Sequence, residues 1–260
     1  MIPADHETSL TSFAKSHLNG DTDHDYHILL KLEHSLRVYE NAKAILAGEN
    51  ITGHIAELTT LASLFHDIGR FPQYTQYGTF KDAESINHGR LGVLTLRDQE
   101  LPHGVSDNDR RLIRAAIGLH NVKEVRDSTH QPLATMTNIV RDADKIDIFS
   151  VILDHLDPEA DSKPVVIHSL IEDPIKYSDE VYQTALAGKT GDYSLLRYSN
   201  DFIILLIGWL FVLNYTSSVQ LVANRGLIEH AFAILPKDKK IQALKEKSHT
   251  FMRYNIERTP

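Results

Sequence analysis

The sequence predicts an all-α fold, a helical bundle. Apolar residues recur three and four positions apart through most of the chain. Period-two alternation is almost absent, and Gly, Pro, Asp and Ser cluster between the periodic segments.

The first strong helix is read over residues 26–46, where Leu29, Leu32, Leu36, Tyr39, Ala42, Ile45 and Leu46 form one stripe that Gly48 stops. The next is "HIAELTTLASLFHD", with Ile55, Leu58, Leu61, Ala62 and Phe65, closed by Gly69 and Pro72. Further helices are expected over residues 85–99, 107–119, 133–154, 179–188, 199–223 and 237–253, with Asp107 as an N-cap. Residues 70–84, 121–132 and 155–178 read as loops, and "PVVIHSLI" (164–171) is the one strand candidate. No internal repeat is visible. The expectation is a single domain, 1–260, whose C-terminal third adds a helical layer.

Composition narrows the function. With 35 acidic against 27 basic residues the formal charge is −8, which argues against broad nucleic-acid binding, since that needs Lys and Arg to displace counterions. A small phosphorylated substrate needs only a local basic pocket. The absence of cysteine removes disulfides, thiolate-held zinc, iron–sulfur clusters and thiol nucleophiles. The start, "MIPADHETSL", has no basic and apolar leader, so a cytoplasmic protein is expected. The apolar run "FIILLIGWLFVL" (202–213) is shorter than the ~20 residues that cross a bilayer, so it reads as a core helix, or as a homodimer surface if a face stays exposed. "PKDKKIQALKEKSHTFMRY" reads as an amphipathic helix with a solvated Lys face.

Chemistry gathers in five helical segments. His34 lies inside the first strong helix, and the adjacent pair His66 and Asp67 ends the second. His88 starts the third in "SINHGRLGV", and His120 ends the fourth in "AAIGLHNVKE". "VRDADKIDIF" sets Asp142, Asp144 and Asp147 on the fifth. Successive helices of a bundle can aim such groups at one point. Imidazole and carboxylate without thiolate suit divalent Fe, Mn, Zn, Co or Ni. Four ligands fill one metal; five with a shared carboxylate can hold two, with Asp67 as the bridge and His66 a terminal ligand. Helical periodicity leaves the choice between Asp142 and Asp144 open, because apolar residues flank both. His27 is close enough to His34 to compete with it.

The ordered set His34, His66–Asp67, Asp144 resembles the H…HD…D motif of the HD superfamily of metal-dependent phosphohydrolases. "HDIGR" is similar to that family's central motif, and "DADKID" to its last, in which the second Asp is the ligand. The resemblance therefore assigns Asp144 and implies an HD-domain, phosphodiesterase-like bundle with additional C-terminal helices. It covers about residues 26–155; residues 156–260 carry no recognised motif. His88 and His120, falling between, resemble the histidines that hold a second metal in the binuclear branch. The chain lacks the G-Y-P element of cyclic di-GMP phosphodiesterases and the "ADRLHN" of alarmone hydrolases. It also has Arg70 where the deoxynucleoside triphosphate branch usually has His.

The resemblance implies hydrolysis of a phosphomonoester or phosphodiester of a nucleotide-like small molecule by a metal-activated hydroxide. Arg70, three residues after Asp67, and Lys145, beside Asp144, are candidates to touch the phosphate; the alternative is that each pairs with nearby carboxylates. Arg90 and Lys123 read as surface residues. Asp142 and Asp147 read either as supports of ligating imidazoles or as solvated acids. The six metal positions fit equally a di-iron oxygenase of this superfamily that cleaves a C–C or C–P bond. A non-catalytic signalling module on the same fold would be marked by missing ligands, and none of the six is missing.

Overall fold

The computed structural model describes residues 3–126, 129–157 and 170–257, and the fold is all-α. Two compact units divide the chain, Met1–Asp144 and Lys145–Pro260. The first contains α1 (Pro3–Lys15), α2 (Thr22–Gly48), α3 (His54–Phe65), α4 (Arg70–Tyr77), α5 (His88–Asp98) and α6 (Asp107–Leu119). It also takes the first half of α7 (Leu133–Leu156), which runs unbroken across the division.

Local chemistry sets the helix starts. Asp21 accepts from the His24 amide at the head of α2, and Asn87 accepts from the Arg90 amide at the head of α5. The cap of α6 is Ser106, which accepts from the Asp109 amide; the expected cap, Asp107, is instead the first helical residue. One core joins the elements through Leu32, Phe65, Ile68, Phe71, Ile117 and Val140. Full burial of Phe65 and Phe71 stabilises by roughly 1.5–3 kcal/mol each.

The expected loop at 70–84 contains α4 and a 3-10 turn at Asp82–Glu84. Pro72 falls in the first turn of α4, where a missing amide hydrogen costs nothing because that hydrogen has no helical acceptor. Gly69, before it, lets the chain pass hard against α5. A Cβ there would meet the carbonyl oxygen of His88 and stand 2.5 Å from the Gly92 nitrogen.

The second unit has α8 (Asp179–Leu186), α9 (Ser199–Leu210), α10 (Thr216–Asn224), α11 (Leu227–Ile234) and α12 (Lys239–Ile256). The apolar run is a core helix: every residue from Asn200 to Leu210 is buried. Its polar start is satisfied, since the Asp201 carboxylate accepts from Ser178 Oγ (2.7 Å) and the Arg197 and Tyr198 amides (2.9 and 3.0 Å). The single helix expected over 199–223 is broken after Leu210 and restarts at Thr216 from extended Tyr215. Two lysines of α12 pair with acids, Lys240 with Asp179 and Lys245 with Glu229. Most of the strand candidate lies outside the described residues; at its end Ile171 makes an isolated parallel bridge to Tyr198. No described helix is long and apolar enough to cross a membrane.

Candidate metal centre

Five helical segments deliver six side chains to one place in the first unit. His34 comes from the middle of α2, His66 and Asp67 from the end of α3, His88 from the first turn of α5, and His120 from the end of α6. Asp144 comes from α7. Asn41, two turns beyond His34, donates to the Ala143 carbonyl (3.0 Å), which sets Asp144 opposite His34. Arg141, one turn before Asp144, donates to the His120 carbonyl (2.9 Å) and fixes the end of α6.

Two clusters result. In the first, His34 Nε2 lies 3.1 Å from Asp144 Oδ1 and 3.3 Å from His66 Nε2. In the second, His88 Nε2 and His120 Nε2 are 3.1 Å apart. Asp67 stands between them with one oxygen for each. Its Oδ2 lies 3.6 Å from His34 Nε2 and 3.8 Å from His66 Nε2; its Oδ1 lies 3.6 Å from His88 Nε2 and 3.9 Å from His120 Nε2.

The helix ends explain why histidine sits there. His66 and His120 are the C-caps of α3 and α6, and each ring turns back on a carbonyl three residues earlier: Nδ1 of His66 on Ser63 (2.8 Å), Nδ1 of His120 on Ile117 (2.6 Å). A carbonyl only accepts, so each Nδ1 carries a hydrogen and Nε2 is the atom aimed into the cluster. His88 reaches the same state through Asp82, which accepts from its Nδ1 at 2.8 Å. The two Nε2 lone pairs of His88 and His120 therefore face each other with no proton between them.

Charge agrees with this assignment. Burial lowers the pKa of His120 to about 3, helped by the neighbouring His88 and His66. Burial and Arg70 also depress His88, against the pull of Asp82 and Asp67, so both rings are neutral at pH 7. Burial works to raise Asp67, but the cations Lys31 and Arg70 overcome it and hold the carboxyl well below its usual range. Asp144 is likewise held ionised against burial by His34 and His66. The neutral imidazoles of His88 and His120, with converging lone pairs, and two ionised carboxylates are a donor set that fits divalent cations.

The structure places the other candidates as follows. Arg70 is 15% exposed; its Nη1 donates to the Phe80 carbonyl (2.6 Å), Gln73 (2.9 Å) and Asp82 (3.1 Å). Its buried Nε lies 3.4 Å from Asp67 Oδ1 and has no hydrogen-bond partner. Lys145 is half-buried and sits about 100° around α7 from Asp144. The lysine that reaches Asp67 is Lys31. Arg90 and Lys123 are exposed. Asp142 and Asp147 are buried, so neither is a solvated acid. His27 donates to the Asp23 carbonyl and stacks on Tyr74 at 4.8 Å, away from the clusters.

Sequence reasoning missed three groups. Lys31, one turn before His34 on the same face of α2, brings its ammonium 2.9 Å from Asp67 Oδ2. Asp82 is held at about 2 despite burial, chiefly by the hydrogen bond from His88, and also accepts from Gln73 and Asn121. Arg141 is the third. The i,i+3 spacing of Lys31 and His34 is a signal that was present; nothing local marks Asp82, which folds back from a turn.

The model of one protein family, the HD domain, matches residues 32–157. No curated protein and no solved structure matches the chain.

Proposed function

Residues 32–157 are an HD domain, and from that premise we propose that the protein is a metal-dependent phosphohydrolase with a binuclear centre. Its substrate would be a phosphomonoester or phosphodiester of a small, nucleotide-like molecule. The observation that carries the reading is Asp67, one of whose oxygens faces His34 and His66 and the other His88 and His120.

His34, His66, Asp67 and Asp144 would hold one divalent ion; Asp67, His88 and His120 would hold the other. Such ions lower the pKa of a water towards neutrality and offset charge on a phosphoryl group. The chain supplies the rest. Its helix-end carbonyls and Asp82 fix the rings, and burial keeps bulk water from His66 and Asp67. Lys31 and Arg70 set positive charge beside Asp67 for an anionic substrate.

Metal content of tag-free protein purified without added metal or chelator tests this reading. Two equivalents of Mn, Co, Ni, Zn or Fe are expected, lost together in Asp67→Ala, along with phosphatase activity on a phosphoester panel. Two irons with oxygen consumption and no phosphate release would move the protein to the oxygenase branch. No metal uptake on titration would leave a binding module.

A further inference from the structure

We propose that Lys31 is a resident counter-ion for Asp67, which yields the carboxylate to a metal and then serves the anionic substrate. The proposal rests on the metal-centre reading above.

Lysine is almost never buried without a partner, yet the Lys31 side chain is 18% exposed. Among the described residues its ammonium has a single side-chain hydrogen bond, to Asp67 Oδ2 at 2.9 Å, and lies 5.4 Å from the centroid of the Phe80 ring. That oxygen is the one His34 and His66 face. Lys31 therefore claims the atom that a metal in the first cluster would claim.

Arg70 makes the contrast. It lies near the other Asp67 oxygen, but its Nη1 is tied to Phe80, Gln73 and Asp82, so it is a fixed charge. Lys31 has one tie and a flexible four-carbon stem, so it can leave. Two cations cannot share one carboxylate oxygen without repulsion, so metal loading at Oδ2 displaces the ammonium. The displaced ammonium, still on its α2 anchor, is stable beside a dication only with an anion between them. A phosphoryl group supplies that anion. Lys31 thus weakens metal affinity and strengthens phosphate affinity, two effects of opposite sign from one charge.

The test is calorimetric titration of metal-depleted full-length protein with Mn2+, followed by inorganic phosphate on the loaded form. Lys31→Met and Lys31→Gln should bind the metal about tenfold more tightly than wild type and phosphate about tenfold more weakly, and Lys31→Arg should stay near wild type in both. If metal-depleted Lys31→Met does not fold, Lys31→Gln, which keeps a hydrogen-bond donor, carries the test. Metal affinity unchanged or reduced in the uncharged variants, with wild type binding normally, overturns the Lys31 assignment alone. No uptake by any variant overturns the metal centre with it.

Discussion

Asp82 accepts the Nδ1 hydrogen of His88 at 2.8 Å, and that contact makes the second cluster different from the first. His66 and His120 lean on neutral carbonyls; His88 leans on a charge, and a carboxylate behind an imidazole raises its basicity as a ligand. Asp82→Asn should therefore weaken the second metal about 10–100-fold and leave the first in place. Metal analysis after graded dialysis reads this directly. Parallel loss of both ions would show that Asp82 serves general folding instead.

Single-ligand variants should separate the clusters. His88→Ala is expected to retain one equivalent of metal. His34→Ala is expected to lose the first ion and keep the second at reduced affinity, because Asp67 Oδ1, His88 and His120 remain. Loss of both ions in either variant would contradict the division of Asp67 between clusters.

Acid should unfold the metal-free protein early. His120 has a depressed pKa in the fold, about 3 against 6.5, so the unfolded chain takes the proton first. Stability is intact above 6.5 and falls as the pH drops towards 3, by about 1.4 kcal/mol per unit from this group. His88 acts in the same direction. Asp67 and Asp144, held below their usual range, add their loss at still lower pH. Thermal melts of metal-depleted protein from pH 7 to pH 5 should show falling Tm, and His120→Asn should flatten the slope. An unchanged Tm across that range in wild type would refute the neutral, buried assignment of His120.

Gly69→Ala tests how closely the α3–α4 turn meets α5. The new methyl would press on the His88 carbonyl and the Gly92 nitrogen, both main-chain atoms that cannot rotate away. The expected cost is about 2–3 kcal/mol. At this chain length that is a Tm drop of roughly 5–10 °C. A melt within 1 °C of wild type, by the same rough scaling, would mean that the turn has slack.

Much of this was legible before any coordinates, for identifiable reasons. The α2 stripe and the apolar run ending at His66 follow from burial alone, and they carry three of the six candidate ligands, with α5, α6 and α7 supplying His88, His120 and Asp144. Helix α4 was hidden because Gly69 and Pro72 read as breakers, although a proline in a first turn breaks nothing. Lys31 was passed over because lysine on a helix is ordinarily a surface residue. Asp82 depends on a turn folding back across 39 positions to Asn121 and six to His88, which no local pattern records. The interruption between α9 and α10 escaped because apolar residues continue on both sides of it.

Helices α3 and α6 both finish at the cluster, with His66 and His120 as their last-turn caps. Each helix C-terminus carries a dipole equivalent to roughly half a negative charge. The main chain therefore directs close to one unit of fixed negative potential at this point. No side-chain substitution removes it, and no pH at which the protein is folded titrates it. With Asp67 and Asp144 replaced by their amides, that fixed potential would still offset part of the charge of Lys31 and Arg70, because it belongs to the direction in which two helices run.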